Sequence, residues 1–153
     1  MDHTLFFQEW TWDSRGEYMD DTGQILPFTG ISRTFHENDL WFHEGKMTLT
    51  PAGGPPVAVE SRLEIVPFEK GKPTTPWTAL NPGLGILAGR FTVIHEAILS
   101  SCRSENGLFS GCETFLRIDG DTYHNWGTLF REKERISSWT LRLRRKSLES
   151  EGV

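Results

Sequence analysis

His124 and Glu113 are the residues of this chain whose types and placement could do chemistry. His124 lies in a run of strand composition, Thr122 to Phe130, which the turn Arg131-Glu132-Lys133-Glu134 joins to a second run, Arg135 to Arg144. Counted outward from that turn, Phe130 faces Arg135, Thr128 faces Ser137, Trp126 faces Trp139 and His124 faces Leu141. On the last run Trp139, Leu141 and Leu143 alternate with Ser138, Thr140, Arg142 and Arg144, so the Trp139 face is the buried one. The pairing carries His124, Trp126 and Phe130 inward with it. If Asp119-Gly120 forms a two-residue primed turn, Phe115 faces His124 and Glu113 faces Trp126, diagonal to the imidazole. A carboxylate beside an imidazole in a low-dielectric cavity is an acid–base or hydrogen-bonding pair. A bulge at the glycine would turn Cys112, Thr114, Leu116 and Ile118 inward instead, and that face is the more apolar. Both registers stand at this point. Each residue also has a plain role: an interior histidine held by hydrogen bonds, a surface glutamate, tryptophans that fill a core.

The elements that must position these groups follow from a rhythm of short apolar-aromatic runs and turn chemistry. The turns include Glu37-Asn38-Asp39, Glu105-Asn106-Gly107 and Asp119-Gly120-Asp121. Strands are predicted over Leu5–Asp13 (with Phe6, Trp10 and Trp12 on one face), on both sides of Asp20–Gly23, and over Ile31–His36, Leu40–Thr50 and Val57–Val66. They resume over Ile86–Ile94, Ala97–Ser104, Leu108–Ile118, Thr122–Phe130 and Arg135–Arg144. Glu69 to Gly85 is rich in Pro, Gly, Lys and Thr and reads as a lid at a barrel mouth or as an inert connection. The expected architecture is all-β, an antiparallel meander of eight to ten strands closed into a barrel, which removes the edges an open sheet would expose. Residues 1–145 form one domain and 146–153 a flexible tail.

Composition narrows the function. The 153 residues carry a formal net charge of −5, so no global field draws the chain to phosphate backbones, and nucleic acid is not an expected partner. No apolar run is long enough for a membrane-spanning helix, and the N-terminus lacks a secretory pattern, so the expected compartment is the cytoplasm. Cys102 and Cys112 flank the Asn106-Gly107 turn; a tight turn there sets Cys102 opposite Gly111 and Cys112 on the other face, a loop one residue longer would put both on one face, and the expectation is two free thiols, buried or half-buried. His36 and His43 share a face in one of two registers and lack a third ligand, so no metal site is expected. His95-Glu96 reads as an exposed turn. Gly83-Leu-Gly85-Ile-Leu-Ala88 matches a dinucleotide fingerprint in letters only, because Asn81-Pro82 precedes it and strand composition follows where a helix is required. The basic end, Arg142, Arg144, Arg145 and Lys146, reads as a solvated face with room for a weak anionic contact.

The meander, the length, the early Trp10 and Trp12 and the late Trp139 followed by Arg142 resemble the calycin barrels, the lipocalins and fatty-acid-binding-like proteins. The likeness is architectural, since Gln8-Glu9-Trp10 stands where lipocalins carry Gly-x-Trp. It implies an interior cavity for an apolar or aromatic small molecule, here walled by Trp126, Trp139, Phe130, Phe115 and Trp10 and oriented by His124. The alternatives are an isomerase, cyclase or lyase using His124 with Glu113, a haem-binding barrel with a histidine ligand, and a plugged barrel that engages other proteins. The sequence names no cofactor, and a homodimer is compatible with it.

Overall fold

The computed structural model describes residues 2–147. Ten strands follow one another: β1 (Thr11–Met19), β2 (Ile25–Glu37), β3 (Leu40–Leu49), β4 (Val57–Ile65), β5 (Thr74–Asn81), β6 (Gly85–Ile94), β7 (Ala97–Ser104), β8 (Phe109–Asp119), β9 (Thr122–Arg131) and β10 (Glu134–Arg145). Each pairs antiparallel with the next and β1 pairs with β10, so the meander closes into a barrel, as the turn rhythm predicts. Among the described residues no helix is long and apolar enough to cross a membrane. Of the predicted tail, Lys146 extends the ladder by donating its N–H to Thr11 O at 2.8 Å; residues 148–153 lie outside the described residues.

The predicted first strand is displaced. Residues 5–8 form a turn and β1 begins only at Thr11. Phe6 takes a left-handed φ of 71°, which a non-glycine residue adopts at a cost, and its ring is fully buried. The segment folds under the barrel as a plug. Phe6 packs against Phe91, Phe115 and His43 with ring centroids 4.7, 5.4 and 4.9 Å away. Fully burying Leu5 and Phe6 contributes roughly 1.5–3 kcal/mol each, which offsets the backbone strain. Polar anchors set its angle. His3 Nε2 donates to His95 O at 2.8 Å, leaving Nδ1 to accept the Tyr123 hydroxyl at 2.8 Å, and that hydroxyl accepts Thr4 N–H at 3.0 Å. His36 Nε2 donates to Phe6 O at 2.9 Å.

The segment read as a lid or an inert connection is in part a strand of the wall. β5 occupies its middle, and Trp77 points into the barrel, 6 % exposed. Pro73 and Pro76 hide this strand from a propensity reading. Pro76 is tolerated because its carbonyl, accepting Val66 N–H at 3.1 Å, and its missing N–H both face the end of β4, where the ladder is thin. The preceding loop lies at the plugged end, with Phe68 stacked on Phe7 at 4.9 Å.

The β4/β5 seam is the weak joint of the wall. Only Leu63↔Ala79, Glu64↔Thr78 and Ile65↔Trp77 pair, so β4 from Val57 to Arg62 has no partner on that side. Val57 and Val59 share the inner register of Leu49 and Met47, yet are 47 % and 40 % exposed. The barrel therefore has a lateral slot that runs up to its mouth.

Candidate ligand-binding site

Hairpin register decides what lines the interior, and two bulges overturn the expected one. The β9/β10 turn pairs Arg131 with Glu134 and Phe130 with Arg135 as expected, but the ladder then jumps to Leu129↔Ser137, skipping Ile136. One extra residue in β10 reverses the facing of β9 relative to it. Trp139 consequently lies opposite Gly127, and Leu141 opposite Asn125. The Trp139 face is inward, as read; its partners are Tyr123, Asn125, Gly127 and Leu129.

His124, Trp126 and Phe130 stand on the outer wall. The Trp126 ring is 41 % exposed and lies 4.6 Å from the His124 ring. The β8/β9 hairpin turns at Gly120-Asp121, not Asp119-Gly120, and a second bulge between Arg117 and Asp119 sets Phe115 opposite Asn125 and Glu113 opposite Gly127. Glu113 and Phe115 are thus inside while Leu116 joins His124 outside. The sheet separates Glu113 from His124 and does not assemble them as a pair. Phe115 belongs to the floor, beside Phe6. Trp10 is below the barrel, under the Arg145 guanidinium at 3.7 Å.

Cys102 faces Gly111 as expected and both thiols are free, but only Cys102 is half-buried; Cys112, on the outer face of β8, is exposed and not buried as expected. Burial, and then the Glu113 charge, push the inward Cys102 thiol up in pKa, so it stays protonated. His36 and His43 do share the inner face, through Thr34↔His43 and His36↔Trp41. Both serve the floor: His36 stacks on Trp41 at 4.3 Å, and His43 Nδ1 shares a 2.8 Å hydrogen bond with Thr34 Oγ1. Desolvation lowers the His43 pKa to about 4, so the ring is neutral. Among the described residues no cluster of three or more His, Cys, Asp or Glu could hold a metal.

The interior divides into a sealed half and a half that stays open to solvent. Toward the plug, Leu5, Phe6, Trp12, Ile65, Phe91, Ile98 and Tyr123 have essentially no exposure. Toward the mouth, Tyr18, Met47, Leu49, Leu63, Ala79, Leu87 and Trp139 also face inward, yet each keeps accessible surface. Side chains that point into a barrel and still meet solvent line its open mouth half, the hollow. At mid-height the wall is thinned by inward Gly16, Gly30, Gly45, Gly89, Gly111 and Gly127.

Two of those glycines seat indoles. A methyl on Gly89 would fall inside the Trp77 ring, and one on Gly127 inside the Trp139 ring. Lying flat across a neighbouring strand, each indole reaches the strand beyond: Trp77 Nε1 donates to Ser100 Oγ at 3.2 Å, and Trp139 Nε1 to Glu113 Oε1 at 3.2 Å. Asn125 Nδ2 donates to the same Oε1 at 3.0 Å. Glu113 Oε2 has no hydrogen bond from the described residues. Glu113 is half-buried as a residue and points inward at the level of Gly127. Desolvation raises its pKa, opposed by the Asn125 and Trp139 hydrogen bonds. With Oε1 doubly engaged, the ionised group offers Oε2 as an acceptor and the neutral group offers an O–H there.

Sequence reasoning missed Trp77, Ser100 and Asn125. The usable signal was glycine: Gly89 and Gly127 interrupt strands of good propensity, where a glycine marks a close approach.

No protein-family model matches the chain, and no curated protein matches it. Among solved structures, the S-type phycobiliprotein lyase CPES from Guillardia theta is similar, with a TM-score of 0.68 over 94% of this chain and 91% of that one at 6% identity. A de novo designed fluorescence-activating β-barrel aligns over 95% of this chain and 100% of its own, with a TM-score of 0.45 and 14% identity. The first likeness shows a shared barrel fold.

Proposed function

We propose that the protein binds a small, flat, mostly apolar molecule in the mouth half of the barrel, oriented by a ligand nitrogen that hydrogen-bonds Glu113 Oε2. The observation that carries this is the unengaged carboxylate oxygen at the base of a hollow walled by apolar side chains and the Trp139 indole. A concave apolar site with few polar anchors suits such ligands, and an enclosed carboxylate favours N–H donors and cations over anions. The slot between β4 and β5, edged by Val57 and Val59, serves as the side entrance.

A matched pair of tricyclic probes tests this. Proflavine, a cation with N–H donors, binds with micromolar-range affinity, and anthracene-9-carboxylate at least about ten-fold more weakly. Glu113→Gln erases most of that preference. Affinity for proflavine rises with pH as Glu113 ionises, because only the carboxylate complements the cation. Absence of binding by either probe, or a preference unaltered in Glu113→Gln, overturns the reading.

A further inference from the structure

The outer wall carries a second concavity, remote from the hollow. A groove of about 350 Å³ follows the junction of β1 and β10, lined by Arg15, Arg142, Arg144, Arg145 and Lys146, with Asp13 the carboxylate among its lining residues. Arg15 and Arg142 are direct cross-strand partners, and Asp13 faces Arg144. Like charges placed opposite each other destabilise a ladder. The chain as a whole is acidic, at −5, so this strip is not the overflow of a basic protein. Among the described residues Arg15, Arg142 and Arg144 make no ion pair. Arg145, in contrast, is fixed as a wall, its guanidinium 3.7 Å over the Trp10 ring and 3.8 Å from Asp121 Oδ1. On β9, His124 lies opposite Arg142.

We propose that this groove binds the phosphoryl group of a small, soluble phosphorylated compound. Guanidinium forks match phosphoryl oxygens in a bidentate manner, and a dianion between Arg15 and Arg142 converts a repulsive pair into a clamp. The volume is that of a small-molecule site.

Calorimetric titration with pyrophosphate tests it. Wild type binds saturably, with an affinity that falls as salt rises, and melts higher when loaded. Arg15→Gln and Arg142→Gln each weaken binding at least about ten-fold. Their side chains are exposed, so the variants fold, and unliganded Arg142→Gln melts no lower than wild type because a repulsion is relieved. Lys46→Gln, on another part of the wall, binds as wild type does. Absence of saturation, equal affinity in Arg142→Gln, or binding to phosphatidylserine vesicles without binding to pyrophosphate overturns the proposal.

Discussion

Ser100 and Glu113 are cross-strand partners on β7 and β8, and each accepts the indole N–H of a tryptophan two strands away, Trp77 on one side and Trp139 on the other. The arrangement is nearly mirror-symmetric: indole, seating glycine, acceptor, acceptor, seating glycine, indole. It makes a rigid polar centre on one wall of an otherwise apolar hollow. It also ties the position of Glu113 to the absence of two side chains.

Gly127→Ala therefore disturbs more than its own strand. The added methyl displaces the Trp139 ring and breaks its bond to Glu113, at a cost of about 1–3 kcal/mol in unfolding free energy. Denaturant titration measures that loss, and proflavine affinity falls with it. Gly89→Ala acts likewise through Trp77 and Ser100.

Glu113→Gln separates binding from stability. The folded-state pKa of Glu113 is raised, so the native state holds a proton that the unfolded chain releases, and wild type loses stability as pH rises through that window. The glutamine variant keeps an oxygen for Asn125 and Trp139 without the charge. Its unfolding free energy matches that of wild type in acid and exceeds it increasingly toward neutral pH, by roughly 1.4 kcal/mol for each unit of pKa displacement. Thermal melts across pH check this.

His43 works in the opposite direction. Its folded pKa of about 4 lies below the ordinary value of 6.5, so its neutral form favours the native state above that ordinary value. That contribution is lost as pH falls from about 6.5 to about 4, and amounts to up to about 3 kcal/mol. A His43→Gln variant shows a flatter stability profile across the same interval in urea titrations.

Trp126→Ala tests the facing of β9. Because the ring lies outside, its removal changes stability by no more than about 1 kcal/mol and leaves proflavine binding unchanged. Trp139→Ala, on the inner face, weakens binding and costs about 3–5 kcal/mol. Parallel denaturant and fluorescence titrations of the two variants compare them.

Much of the fold is legible in the residues. Asn38-Asp39, His95-Glu96 and the turn at Asn106-Gly107 each connect strands where turn chemistry says they should, and Cys102 faces Gly111 as counted. The site is less legible because facing depends on register, and register changes with one residue. The bulge at Ile136 leaves no compositional mark, and the misread β9 face, with His124, Trp126 and Phe130, looks as interior as the true one. Glu113 is inside through the two bulges together and not through the expected turn, with Asn125 and Trp139 as its partners in place of His124. The plug is hidden because Leu5, Phe6 and Phe7 have strand composition, and only tertiary packing sustains a left-handed phenylalanine.

The six tryptophans let one measurement locate the ligand. Indole N–H resonances in a nitrogen-15 correlation spectrum, assigned by single substitution, are followed through a proflavine titration. The Trp139 and Trp77 signals shift saturably together while those of Trp126 and Trp10 stay in place, if the hollow above Glu113 is the site. Shifts confined to Trp126 or Trp10, or no shift at saturating probe, contradict it.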